Sequence, residues 1–218
     1  MSTINSNNPY RRAAGLYDLN LALPFISAIR RQEARAIADL IGRYAEGAGR
    51  ALEVGPGTGF YTLMLARAFR EVVAVEECEA MARILSDKLA AAGMDNVMLV
   101  NHDFLRLRLD GQFDLAVAIG VLDYIADPAP LVAKLCAAAR RAVILTAPQR
   151  GLWGACFAAA ARLRGIAVHR HHGCAPNAWA PGWRCAVTEV GLKTRFTRGL
   201  TLVAALEPPQ EADRVRAA

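Results

Sequence analysis

The 218-residue chain of 23.5 kDa carries 26 basic and 20 acidic side chains, for a net charge of +6, with 54% hydrophobic and 21% charged residues. That balance fits one soluble globular domain able to bury about 70% of its unfolded surface, and it excludes a long disordered tract. The five cysteines, Cys78, Cys136, Cys156, Cys174 and Cys185, are scattered and never arranged as C-x-x-C, so neither a disulfide framework nor a zinc site is indicated.

In chain order, the polar start MSTINSNNPYRR does not read as a secretory signal. Residues 25–44 then place Ile26, Ile29, Ala34, Ile37 and Ile41 on one helical stripe with arginines opposite, which predicts a helix lying on a sheet. Alternating segments follow: a strand at 50–55, a helix at 60–69, a strand at 71–76, and a helix at 79–93 ended by Gly93. Further strands are expected at 96–101, 113–120 and 141–147, with a helix at 130–139 between the last two. Their continuous Val, Ile, Leu and Ala content is what burial on both faces requires. Beyond Pro148 the pattern predicts a helix over 152–164, an irregular His, Pro and Trp-rich segment over 168–184, and a short helix. The strands LKTRFTR (192–198) and LTLVAAL (200–206) close the chain as an antiparallel pair. The expected fold class is α/β: a Rossmann-like, mostly parallel seven-stranded sheet with helices on both faces and an antiparallel C-terminal strand pair. The apolar stretch at 152–161 is too short to span a bilayer, and a reducing cytoplasm is the expected location.

Charge is uneven along this order. Residues 1–50 sum to +3, residues 51–130 to −6, and residues 131–218 to +9. A basic final third suits an anionic small molecule, a membrane surface or nucleic acid, or is simply a solvated arginine-rich face.

The stretch ALEVGPGTGFYT (51–62) sits between a predicted strand and a predicted helix, and its glycines fall at Gly55, Gly57 and Gly59. A glycine turn there lets a ligand approach the backbone and opens a helix N-terminus to it. The dinucleotide fingerprint G-x-G-x-x-G would put its third glycine at Phe60, one residue later, and no Gly-Lys-Ser/Thr follows for a phosphate loop.

The pattern E-x-G-x-G-x-G from Glu53, followed in order by VVAVEECEAM, NHDFL and FDLAVAIGVLDYIADP, resembles the class I S-adenosylmethionine-dependent methyltransferases. The resemblance covers roughly residues 10–148. It implies that S-adenosyl-L-methionine is the cofactor, with its methionyl part and ribose against Gly55, Gly57 and Gly59, and its cationic amino end toward Glu53. Glu76 would accept from both ribose hydroxyls, with Glu77 as a solvated competitor. Asp103 would accept from the adenine amino group, with a turn-capping role as its alternative, and Phe104 would offer apolar surface or its backbone N–H to the ring. Ile119 and Gly120 would border the transferable methyl, and Tyr17 would close over the cofactor.

On the acceptor side, Asp123 and Tyr124 are the candidates for a catalytic base. They occupy a segment that often reads V-L-H-H in small-molecule members, so this chain departs from the family pattern, and helix capping is an equal reading of Asp123. Tyr10, His169, His171 and Trp179 are candidate acceptor contacts, together with Trp183, although either tryptophan suits a core equally well. The histidine spacing is not completed by a Cys, Asp or Glu, so no metal is expected. The opening AGLYDLN is similar to that of quinone and phospholipid methyltransferases.

The resemblance therefore implies methylation of a small molecule, anionic or lipid-like in character, such as a lipid, quinone, tetrapyrrole or secondary metabolite. The glycine segments also resemble the ribosomal RNA adenine dimethylases. Those enzymes carry N-L-P-Y where this chain has I-G-V-L-D-Y, so nucleic acid is disfavoured as a partner. A third reading is a binder of the cofactor without the chemistry. The expected organisation is a single domain of residues 1–218: a lid and helix region over 1–45, a cofactor-binding half over 46–148, an acceptor-side half over 149–208 and a tail over 209–218. A homodimer face and peripheral membrane contact are further options for the stretch beginning at Leu152.

Overall fold

The fold is that of a computed structural model, which describes residues 24–148, 169, 176–190 and 201–209. Helix α1 (Pro24–Ala45) leads into β1 (Arg50–Val54), α2 (Phe60–Ala68), β2 (Glu71–Val75), α3 (Glu79–Ala91) and β3 (Val97–Val100). Then come β4 (Phe113–Ala118), a short 3-10 turn at Leu122–Tyr124, α4 (Ala129–Ala138) and β5 (Ala139–Pro148). A second 3-10 turn (Pro176–Trp179) precedes β6 (Arg184–Val190) and β7 (Thr201–Glu207).

The seven strands form one sheet in the order β3-β2-β1-β4-β5-β7-β6. The pairings among β1 to β5 are parallel, and β7 runs antiparallel between β5 and β6. The order reverses between β1 and β4, and at such a switch point the loops leaving adjacent strands diverge and open a crevice.

The alternation of side chains along each strand separates two cores. On one face Ile37 and Ile41 of α1 and Leu65 of α2 pack on Ala51, Leu115 and Ile144, while Leu85 and Leu89 of α3 cover Ala74. On the other face Leu131, Val132 and Leu135 of α4 pack on Leu52, Ala116 and Val143. Gly93, at φ 63°, stops α3 as the sequence predicts.

The strand ends opposite the crevice are tied by Asp114. This buried acid accepts from the N–H groups of Gly49 and Arg50.

One element differs from expectation. Residues 184–190, where a short helix is expected, form β6, and the closing pair is β6 with β7, not 192–198 with 200–206. The segment 192–198 lies outside the described residues, as does the helix expected over 152–164. The reason for the difference is physical: RCAVTEV is an edge strand exposed along most of its length, so it lacks an apolar rhythm. The β-branched Val187, Thr188 and Val190 are the strand signal it does carry.

Candidate functional site

Four strand ends meet around the switch point, and three of them carry an acid. Glu53, the penultimate residue of β1, lies on the α2 side and is only 2% exposed. Burial pushes its pKa up to about 7. The nearby Thr62 hydroxyl draws it partly back, and the neighbouring Glu76 adds to the rise. The Thr62 contact falls short of a hydrogen bond: Glu53 Oε2 and Thr62 Oγ1 are both buried with no partner among the described residues. A buried carboxylate oxygen left so is costly unless a cation or donor completes it.

The three glycines that follow have three different reasons. At Gly57, with φ 58°, an added Cβ would meet nothing within 4 Å, so the backbone there faces open space. At Gly55 the same Cβ would lie 2.6 Å from Val121 Cγ2, and at Gly59, with φ 90°, it would lie 2.3 Å from Leu85 Cδ1. Gly57 is therefore the bare wall, while Gly55 and Gly59 are bare so that the loop after β4 and helix α3 can pack on them. Gly55 and Gly59, at φ 67° and 90°, thus answer to packing as well as to the ligand the sequence reading assigned to all three.

Glu76 follows β2 and is buried. Its Oε2 accepts from the Gly57 N–H at 2.9 Å and its Oε1 from the Cys78 N–H at 2.8 Å. Burial raises its pKa, and these two N–H groups oppose the rise. Each oxygen keeps a lone pair for a further donor. Glu77 is exposed, as a solvated neighbour should be. Asn101, at the end of β3, donates to the backbone carbonyls of Glu76 and Glu77 at 2.6 and 3.2 Å and so pins the two strand ends together.

Asp103 sits in the turn beyond β3. Its Oδ1 accepts from the Leu105 N–H at 2.8 Å and its Oδ2 pairs with Arg106 Nε at 3.2 Å, so the turn-capping role is real. The Phe104 ring is 5% exposed and belongs to the α4-side core, which commits the side chain to packing.

The loop after β4 completes the crevice. The Gly120 N–H donates to Thr146 Oγ1 of β5 at 2.7 Å, and an added Cβ on Gly120 would meet nothing within 4 Å. Ile119, just before it, packs partly on the α1 and α2 core. Asp123 and Tyr124 lie half-buried on the 3-10 turn. The His169 N–H donates to the Asp123 carbonyl at 2.7 Å, which brings two candidate acceptor residues together across 46 positions of sequence. Trp179 takes up the core alternative that the sequence left open. It is buried with Ala180 in the α4-side core, where its turn packs against α4, β6 and β7, and Trp183 lies half-buried against the same core. Tyr10, Tyr17 and His171 lie outside the described residues. Sequence reasoning missed Thr62, which lies beside Glu53, and Asn101 and Thr146, single polar residues whose partners are distant along the chain.

Residues 51–143 match the family model described as a methyltransferase domain. Over those 93 residues, under half of its length, the chain is similar to a methyltransferase domain. Its fold is similar to that of magnesium protoporphyrin IX methyltransferase (ChlM) from Synechocystis PCC 6803, solved with bound SAH, at a TM-score of 0.69 and 20% identity over 93% of this chain and 96% of that one. The N-methyltransferase NodS from Bradyrhizobium japonicum WM9, in complex with S-adenosyl-L-homocysteine, gives a TM-score of 0.66 at 15% identity, covering 94% of this chain and all of its own. Among curated proteins, ribosomal RNA small subunit methyltransferase A of Desulforapulum autotrophicum is 39% identical over 77 residues. That match spans 34% of this chain and 27% of the relative's length. Among the described residues no helix is long and apolar enough to cross a membrane.

The site's chemistry fits S-adenosyl-L-methionine on its own terms. A buried carboxylate with an orphaned oxygen suits an ammonium, a carboxylate with two half-used oxygens suits a diol, and the open space before Gly57 admits both.

Proposed function

We propose that the chain is an S-adenosylmethionine-dependent methyltransferase acting on a small-molecule acceptor. The observation that carries the reading is the row of acids at the ends of adjacent strands β1, β2 and β3, beginning with Glu53, whose buried Oε2 has no partner among the described residues. Neighbouring strands lie about 4.8 Å apart, so the row spans roughly 10 Å and suits an elongated ligand with a donor at each station. Glu53 holds the amino end, Glu76 the ribose hydroxyls and Asp103 the adenine amino group, with the Phe104 backbone N–H as the second adenine contact. Gly57 gives the ligand room, and Ile119 and Gly120 border the methyl.

When bound, the sulfonium supplies an activated methyl group for displacement by an O, N, S or C nucleophile, with O- or N-methylation favoured. The chain's own part is to align the acceptor and exclude water. Thr146 fixes Gly120, and Gly55 seats Val121, so the turn bearing Asp123 and Tyr124 is held at the end of β4, which supports a place for them beside the methyl. These two are the candidates to orient the acceptor or take its proton, with His169, anchored on the Asp123 carbonyl, next to them. On this reading Tyr10, Tyr17 and His171 contribute to a lid and acceptor wall. The chain functions as one domain with a lid region over 1–45, a cofactor half over 46–148 and an acceptor half over 149–208. The basic final third favours an acceptor that is anionic or lipid-like.

The test is calorimetric titration with S-adenosylmethionine, followed by an acceptor screen with labelled methyl. Gly57→Arg puts a long side chain and a strained φ of 58° into the ligand's space, and should remove measurable binding while the fold persists. A wild type that fails to bind ends the proposal.

The match to a ribosomal RNA methyltransferase favours RNA as the second reading. A filter-binding assay with structured RNA across a salt series separates the two. Structure-selective binding that survives salt supports RNA, whereas binding that vanishes with salt is the nonspecific attraction of a basic protein.

A further inference from the structure

Lys134 lies on α4, on the opposite face of the sheet from α2 and α3, and the reaction gives it no role. Its ammonium is nevertheless committed. Nζ donates to the carbonyls of Phe104 and Leu107, each at 2.5 Å, and to that of Leu105 at 3.1 Å, and it stands 4.7 Å from the centroid of the Phe104 ring. An ammonium has three donors, and here all three go to one turn. The ring below adds a cation–π contact.

That turn begins at Asp103. The Asp103 carbonyl accepts from the N–H groups of Arg106 and Leu107, and its carboxylate accepts from that of Leu105. The N–H groups of the turn thus point back at Asp103, while three of its carbonyls point at Lys134. No helix occupies the connection from β3 to β4, so no helical hydrogen-bond ladder fixes this backbone. The outward side of the turn offers little packing, with Leu105 exposed and the Arg106 side chain in a surface ion pair with Asp103. Beyond those internal bonds and the packing of Leu107, burial of the Phe104 ring and the Lys134 ammonium tie it to the rest of the fold.

We propose that Lys134 is a positioning residue for the base-recognising end of the cofactor site: it sets the 103–107 turn so that the Asp103 carboxylate meets the amino group of the ligand's adenine. This rests on the reading of Asp103 given above. Lys134 touches no ligand and acts through the turn. The consequence is selectivity for a 6-amino purine over a 6-oxo purine, since the oxo group offers Asp103 an acceptor where it needs a donor. A misplaced turn loses that distinction before it loses the ligand, because the Glu53 and Glu76 stations are built on other strands.

The experiment measures, by calorimetry, binding of S-adenosylhomocysteine and of its analogue with a 6-oxo purine to wild type, Lys134→Met and Lys134→Arg. One charge-assisted hydrogen bond gives wild type a preference of about tenfold or more for the amino form. Lys134→Met keeps the stem but has no donor, and should bring the ratio close to unity with near-wild-type far-ultraviolet circular dichroism. Lys134→Arg, which can still donate to several carbonyls, should restore most of the preference. Should the Met variant fail to fold, Lys134→Gln, with one amide donor, takes its place and should show a reduced ratio. A ratio left at the wild-type value in the donor-deficient variant overturns the inference alone. A wild type that binds both purines equally overturns the reading of Asp103 and the inference with it, while a wild type that binds neither overturns the cofactor assignment as a whole.

Discussion

Two buried acids on adjacent strands, Asp114 and Glu53, show opposite solutions to the same problem. Asp114 stands near the start of β4, at the end of the sheet away from the crevice. It accepts from Gly49 N–H at 2.6 Å and Arg50 N–H at 3.0 Å, pairs with Arg140 at 2.8 Å, and has Arg141 at 3.5 Å. Burial alone would raise its pKa. The N–H groups of Arg50 and Gly49, with the two guanidinium groups, overcome that and hold it below the usual carboxylate range. Glu53, near the end of β1, is also buried, yet its Oε2 has no partner among the described residues and its pKa rises to about 7. A saturated buried acid braces the fold, while an unsaturated one is open to a ligand, the role proposed above for Glu53.

The largest expected effect falls on the braced acid. Asp114→Ala strands two N–H groups and removes the anchor of two arginines, and should cost about 3 kcal/mol in urea denaturation. Cofactor affinity of the folded fraction should stay unchanged. A loss of affinity there would break the division between the two ends of the sheet.

Glu53→Gln should act in the opposite sense. Between the ordinary carboxyl value of 4.5 and about 7, folded Glu53 keeps a proton that the unfolded chain has lost. Stability therefore falls as pH rises through that window. The Gln variant lacks this slope and should be more stable than wild type by about 1–2 kcal/mol near pH 8, the difference closing toward pH 5. Urea midpoints over that range check the sign. The same variant should bind S-adenosylmethionine more weakly. Wild type, but not Glu53→Gln, should release a proton on binding near pH 6, visible as a heat that depends on the buffer's ionisation enthalpy.

At the small end, Arg106→Ala removes an exposed ion pair from Asp103 and should change stability by less than about 0.5 kcal/mol. A larger change would mean that the turn depends on its outer side as much as on Lys134.

The strands and glycines were legible because they follow local rules. β1, β2, β4 and β5 are continuous apolar runs between turn residues, and the helices between them carry one apolar stripe each. β6 was not legible, since an exposed edge strand has no buried face to impose a pattern. Trp179 looked equally suited to pocket and core, and its burial among α4, β6 and β7 could be seen only in the packing of its turn. In the site, Glu53, Gly57 and Glu76 could be named because they sit in a fixed local spacing. Thr146, Asn101 and Lys134 could not, because each works on a backbone group about 25 to 30 residues away and nothing local marks it.

The contact between Gly55 and Val121 also bears on how such a protein can diverge. With 2.6 Å between the position of a Gly55 Cβ and the Val121 methyl, the two loops cannot drift independently. Across relatives, positions 55 and 121 should covary, with any residue bulkier than glycine at the first matched by a smaller one at the second. A chimera that imports a foreign loop over 119–125 to change the acceptor inherits that constraint, and its first design choice is the side chain at 121.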